Sequence, residues 1–432
     1  MDVEMQVGPR RVPIEIDLPP ENVWVARSKN SKPTRSIEST VEEALARPIG
    51  TDRLCQYRLS GKKVVILVDD RTRPTPTKRI IPYVLTELRA AGVKDEDITF
   101  VTASGEHMPM TEEEMPEKVG AEIAEKYPVV AHDAFDRDHM DFLGFSKFGT
   151  PIWVNQTVTS ADFKMSIGRI APHWNFGYAG GAKIILPGVC ATETIVRNHA
   201  MFMSSNGGVG ALDEHPCRMD AEDVARIVGL DFILNVVLNH EREVCWAVAG
   251  HYIAAHRAGV AFGDEHLWGA AIPQKADITI ASPGAAWKDG SAYDRLALNA
   301  AFLGTRSGGL IFLLRGDGEA ETDGPASRFD TWSLEEVVLD HERADLPLKG
   351  RELSRYRRDI WGEHRRRRAA YETHVTLVGG KVSERLLKQL SMHHVASLDG
   401  TLEEAIRRYG RGPRMLVLPD APSTLPLERL HR

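Results

Sequence analysis

The run Lys63-Val64-Val65-Ile66-Leu67-Val68 constrains the fold more than any other segment. It lacks polar/apolar alternation and is mostly β-branched, which suits a strand buried on both faces. Helical periodicity follows over about 78–91, and Gly92 stands where a glycine just past the last turn would stop the helix. A second strand is expected at 98–102 and a helix at about 112–126. This strand–helix–strand alternation predicts a parallel α/β sheet. More strands are expected at 163–167, 232–237 and 245–248. Helices are expected at 192–203, capped by Thr192, and at 252–267.

A fresh α/β series starts near Gln274-Lys275-Ala276-Asp277. Its strands fall at 278–281, 309–314, 375–378, 395–398 and 415–418, and its helices at 293–303, 334–341 and 351–371. The fold class is therefore α/β: two Rossmann-like lobes with mostly parallel sheets and an interdomain active-site cleft. The first domain is expected to span 1–270 and the second 275–410. The tail 411–432 is free to return to the first domain.

Lys and Arg total 54 against 61 Asp and Glu, a net charge of −7. No basic surplus exists to attract nucleic acid or an anionic membrane. The densest basic run, Arg365-Arg366-Arg367-Arg368, lies in a polar helical stretch and reads as a solvated face. Cys55, Cys190, Cys217 and Cys245 are far apart, so no disulfide framework is expected. The start, Met1-Asp2-Val3-Glu4-Met5, lacks a basic and then apolar leader, and no run of about 18 apolar residues is present. A cytoplasmic protein is the expectation.

Ligands of an open parallel sheet gather at the carboxyl ends of its strands. Asp69-Asp70-Arg71-Thr72-Arg73-Pro74 follows the first strand, and Gly105-Glu106-His107 the second. Gly168-Arg169-Ile170-Ala171-Pro172-His173 follows the 163–167 strand, and Ser282-Pro283-Gly284 leads toward Lys288 in the second series. If these strands are parallel neighbours, the clusters converge.

Each cluster has chemistry to offer. Arg73, beside Asp70 and Thr72 on a proline-bounded turn, suits a phosphate or carboxylate, though Asp70 could simply cap the next helix. His107 and His173 are the residue type that takes and returns a proton near neutral pH. Lys183 sits in the turn Gly177-Tyr178-Ala179-Gly180-Gly181-Ala182-Lys183, whose glycines, Gly180 and Gly181 above all, let a ligand approach the backbone. The nucleotide-binding pattern ending Gly-Lys-Ser/Thr is not met. Lys183 is then a phosphate-binding charge, a covalent anchor for a cofactor, or a surface loop lysine. His199 could ligate a metal, but it has no second ligand one helical turn away, so a metal held by protein alone is poorly supported. Arg169 offers a hold for a second carboxylate or for sugar hydroxyls, with a solvated surface arginine as the alternative.

These residues resemble the lactate racemase family, whose members use a nickel-pincer nucleotide. The matching motifs are Asp70-Arg71-Thr72-Arg73-Pro74-Thr75-Pro76, Ser104-Gly105-Glu106-His107-Met108-Pro109-Met110, and Pro172-His173 through Lys183 to Pro187-Gly188 and His199. The resemblance runs from about residue 10 to 420. It implies a racemase or epimerase of a 2-hydroxy acid, working by reversible hydride transfer to the nickel-pincer nucleotide. In that reading Lys183 is the covalent tether, His199 the nickel ligand, and His107 and His173 the catalytic acid/base pair. Asp70, Thr72, Arg73, Gly180 and Gly181 join Lys183 in holding the cofactor. Arg73, Lys288, Trp361 and Trp174 hold the substrate. Cofactor-maturation proteins are implied partners, a protein made without them would lack the cofactor, and a homo-oligomer is allowed. The segment Pro283 to Asp294 departs from the family's usual second-lobe motif, and small Ala285 and Ala286 make room for an acid other than plain lactate. Two further functions are compatible with the residues: a net 2-hydroxy-acid oxidoreductase, and a non-enzymatic carrier of a cofactor or small anion.

Overall fold

The computed structural model describes residues 1–173, 175–202, 208–284, 291–316, 350–353, 356–357, 372–380, 387, 392–410 and 412–428. The chain divides into two compact units. One comprises Ser31–Gly263 with Pro347–Arg355; the other comprises Met1–Asn30, Asp264–Leu346 and Tyr356–His431.

The first unit is built on a six-stranded sheet, in the order Val244–Gly250, Phe232–Leu238, Phe163–Ile170, Val64–Asp69, Ile98–Ala103, Val129–Ala131. All neighbours are parallel except the Val244–Gly250 edge pair. Val64–Asp69 lies inside the sheet and is buried at every position, as its unbroken apolar run requires. Val64, Ile66 and Val68 face one hydrophobic cluster together with Ile80, Ile81, Val84 and Leu88 of the helix Thr77–Ala90. Gly92, at φ +91°, takes the left-handed position just beyond that helix. The helix expected at 112–126 is two, Glu114–Val119 and Ala121–Lys126, because Gly120 at φ +100° breaks the run between them.

The second unit holds another six-stranded sheet, with every neighbouring pair parallel: His393–Val395, His374–Val378, Thr305–Leu314, Ala276–Ala281, Met415–Leu418, Val23–Val25. Alternate residues of Thr305–Leu314 enter different clusters, Ile311 and Leu313 on one side and Phe312 and Leu314 on the other. Two domain boundaries need correction. Residues 1–30 belong to this second unit, because Val23–Val25 pairs with Met415–Leu418. The tail stays there too: Met415–Leu418 inserts between two strands of the sheet, and Leu425–Leu427 pairs with Gly269–Ala271. A three-residue edge strand takes its pairing from the sheet it joins, so its sequence shows little of it. The helices expected at 334–341 and, for the most part, 351–371 lie outside the described residues.

Candidate active site

Two strands flank Val64–Asp69 in its sheet, Ile98–Ala103 on one side and Phe163–Ile170 on the other. All three run parallel, so their carboxyl ends open on the same edge. Every described site residue predicted in the first series follows one of these ends or stands on the segments just beyond.

At the central exit both carboxylates are engaged. Asp69 accepts hydrogen bonds from Lys118 Nζ at 2.5 Å and Thr75 Oγ1 at 2.5 Å. The buried Lys118 ammonium also donates to the Arg73 carbonyl at 3.2 Å, tying the loop to the sheet. Asp70 Oδ1 accepts from the Thr72 amide at 2.9 Å and the Thr72 hydroxyl at 2.5 Å, and Asp70 Oδ2 accepts from His107 Nδ1 at 2.5 Å. Burial alone would raise the Asp70 pKa, but the His107 and Thr72 hydrogen bonds outweigh it and hold the carboxyl at about 2. Asp70 and Thr72 thus serve each other and His107 in this structure. The neighbouring Arg73 guanidinium makes no hydrogen bond or ion pair among the described residues. Its reach is electrostatic, to His173, Lys183 and Arg169.

His107 leaves the Ile98–Ala103 exit through a turn in which its amide donates to the Ser104 carbonyl at 3.0 Å. Gly105, at φ +54°, donates to Gly188 at 2.9 Å. The Nδ1–H bond to Asp70 fixes the neutral ring's tautomer and leaves the Nε2 lone pair free to accept a proton. The His107 side chain is 44% exposed.

His173 ends the Phe163–Ile170 exit on a small antiparallel hairpin, Pro172–His173 against Gly177–Tyr178. Arg218, fully buried, pins this hairpin by donating Nε to the Phe176 carbonyl at 2.9 Å and Nη2 to the Tyr178 carbonyl. The Asn175 amide donates to His173 Nδ1 at 3.3 Å, which favours the proton on Nε2. Burial pushes the His173 pKa well below 6.5, and the charges of Lys183 and Arg73 push the same way. The ring is therefore uncharged at neutral pH.

Lys183 lies on the 3₁₀ turn Gly181–Ile184. Burial drives its pKa well below 10.5, Arg73 and Arg218 add to this, and Asp70 opposes it. It has no ion-pair partner among the described residues, and its amine stands 5.3 Å from the centre of the Phe176 ring. Phe176 gathers the site: its buried ring is also 6.0 Å from His173 and 5.4 Å from His199. Neither Phe176 nor Arg218 is visible as functional in the sequence. One contact is a ring in a loop and the other a side chain from a distant helix, Pro216–Val228.

His199 is buried near the end of the helix Thr192–Ala200. Ala191, not Thr192, occupies the cap position. The Thr192 hydroxyl instead donates to Glu106 at 2.5 Å, joining the His107 turn to the helix that carries His199. Among the described residues no group of three or more His, Cys, Asp or Glu could hold a metal.

The two glycines before Lys183 are also required by packing. A Cβ at Gly180 would come within 2.8 Å of Asn235 Oδ1 and 2.9 Å of the Arg169 carbonyl. At Gly181 it would stand 3.0 Å from His256 and from the Tyr252 carbonyl. Both residues have positive φ, and the Gly181 amide donates to Asn235 Oδ1 at 2.9 Å. Their missing side chains admit neighbouring protein atoms and seat the lysine turn on the sheet. Trp174, Lys288 and Trp361 lie outside the described residues, as do Ala285, Ala286 and the basic run 365–368.

The chain has relatives. Residues 10–210 match the family described as the lactate racemase N-terminal domain. Lactate racemase of Lactiplantibacillus plantarum is 30% identical over 388 residues, covering 89% of this chain and 90% of that one. Lactate racemase of Thermoanaerobacterium thermosaccharolyticum is 32% identical over 318 residues, covering 72% and 74%. The solved lactate racemase apoprotein from Thermoanaerobacterium thermosaccharolyticum aligns with a TM-score of 0.76 at 28% identity, over 99% of this chain and 100% of that one. A Thermotoga maritima protein at 18% identity and a TM-score of 0.54 shares the fold.

Proposed function

The chain belongs to the lactate racemase family, and from that premise we propose that it inverts C2 of a 2-hydroxy acid with the help of a nickel-pincer nucleotide. The observation that carries this reading is the pair of imidazoles on the two exits flanking Val64–Asp69: His107 backed by Asp70, and His173 held uncharged.

The residues suit such a cofactor. An amine whose pKa burial lowers well below 10.5, and which has no ion pair among the described residues, fits a covalent tether through Lys183. A buried histidine whose ring lies 5.4 Å from that of Phe176 fits a single metal ligand, His199. The guanidinium of Arg73, without a carboxylate partner, fits a phosphate or carboxylate. When bound, the nucleotide supplies a carbon that accepts a hydride and returns it.

The chain supplies protons, charge and orientation. His107 Nε2 removes the hydroxyl proton of one enantiomer, and ionised Asp70 balances the imidazolium that forms. His173 begins uncharged and does the same for the other enantiomer from the opposite flank. Its Asn175 contact, at 3.3 Å, is long enough to yield when the ring changes tautomer. A cation on the substrate carboxylate keeps the planar keto acid in place while it turns. The departure of the sequence Pro283 to Asp294 from the family's usual motif favours an acid other than plain lactate.

The test uses full-length protein made together with cofactor-synthesis enzymes. Single enantiomers of several 2-hydroxy acids are incubated with it and resolved by chiral chromatography, and the intact protein is weighed. The expected result is the opposite enantiomer, a constant total of hydroxy acid, and added mass on Lys183. Keto acid accumulating in step with substrate loss would make the protein an oxidoreductase instead. Neither turnover nor added mass would leave an anion carrier.

A further inference from the structure

We propose that Arg169 is a second anion-holding residue of this site, binding a carboxylate or phosphate group separate from the one Arg73 takes. What that anion is part of rests on the racemase reading; the binding itself does not.

Arg169 stands one residue from the end of Phe163–Ile170 and four before His173. Its backbone pairs with Val236 on one side, and on the other Val68 pairs with Ile167, so Arg169 emerges level with the Asp69–Asp70 exit. Its own carbonyl lies against the Gly180 position that leads into Lys183. This is not a solvated surface arginine. Its Nε is fully buried and has no hydrogen-bond partner. The residue is only partly buried, and the side chain forms no ion pair among the described residues, so the guanidinium is open to an incoming anion.

The Asp69 charge favours the Arg169 cation, but neither nearby carboxylate bonds to it. Asp69 is already taken by Lys118 and Thr75, and Asp70 by His107 and Thr72. The remaining charges that bear on Arg169, Arg73 and Arg242, have its own sign. With Arg71 paired to Glu114, the exits present two guanidinium groups without an ion pair, Arg73 and Arg169, and no free carboxylate among the described residues. A 2-hydroxy monocarboxylate uses one of these cations. The other is matched by a second carboxylate on the substrate or by a phosphate on the cofactor, either of which offers two oxygens to arginine's planar fork.

Full-length protein without cofactor is titrated calorimetrically at low salt with inorganic phosphate, lactate and malate. Arg169→Gln should weaken phosphate or malate binding by at least about tenfold while changing lactate little. Arg169→Lys, which keeps the charge but loses the fork, should show a smaller loss and guards against a Gln variant that fails to fold. A loss confined to phosphate assigns Arg169 to the cofactor. A loss confined to malate assigns it to a dicarboxylic substrate. Equal affinities in wild type and both variants, an equal loss for all three anions, or no binding by the wild type would overturn the proposal. If racemisation fails while Arg169 still governs phosphate or malate binding, the racemase reading falls and this inference stands.

Discussion

Two neighbouring strand ends differ in how their charges are answered. At the end of Val64–Asp69, Asp69 meets Lys118 and Thr75, and Asp70 meets His107 and Thr72. At and beyond the end of Phe163–Ile170, Arg169 and Lys183 lack ion-pair partners among the described residues, and burial lowers the pKa of both His173 and Lys183. The first end has the character of a frame for its carboxylates, each held by other groups, while the Arg73 guanidinium stays unpaired among the described residues. The second has groups whose partners must come from outside the chain, and that is where bound chemistry is expected. The contrast teaches that functional pressure here falls on cations and imidazoles, with carboxylates confined to support.

The strongest test of the contrast is to remove a ring on each side. In cofactor-loaded protein, His107→Ala and His173→Ala should each lower kcat by about 10²–10⁴-fold with the melting temperature little changed. A drop for only one of them, read by chiral chromatography from each enantiomer in turn, would break the two-sided arrangement.

The frame is tested next. Lys118→Met strands the Asp69 carboxylate in a buried place and should cost about 3–5 kcal/mol of unfolding free energy in urea melts. Activity should fall as well, because the Arg73 carbonyl loses its tie. A near-neutral change would mean that the frame tolerates an unanswered charge as readily as the other exit does.

Asp70→Asn gives the smallest effect and sharpens the comparison by its pH dependence. The Asp70 pKa falls from 3.8 unfolded to about 2 folded. A depressed carboxylate pKa means stability that is present above about pH 3.8 and lost as the pH drops through about 2. The ionised group contributes about 2 kcal/mol at neutral pH. The gap between wild type and Asp70→Asn in urea melts should therefore narrow between about pH 4 and pH 2. A constant gap would show that Asp70 acts through packing and not through its charge.

Much of this was legible from residues alone. Val64–Asp69, Ile98–Ala103, Phe163–Ile170 and Met415–Leu418 declare themselves as apolar or β-branched runs, and His107, His173 and Lys183 stand beside the ends of such runs. Less legible were features whose cause is distant. Lys118 reads as one more charge on a polar helix until it is found buried against Asp69. Arg218 reads as a surface residue until its guanidinium is found on the His173 hairpin. At Gly180 and Gly181 the sequence suggests room for a ligand, and it does not show that a side chain there would meet Asn235, His256 and the Arg169 carbonyl.

Local pattern by itself determined the alternation of strands and helices and the chemical types placed at the strand ends, because hydrophobic periodicity and residue chemistry act within a few positions of the chain. Tertiary structure alone decided which strands are neighbours, that Val23–Val25 crosses to the other sheet, and which charges are answered and which are left open. Those outcomes depend on burial and on partners tens of residues away, and the free energy of a charge is set by what surrounds it in space.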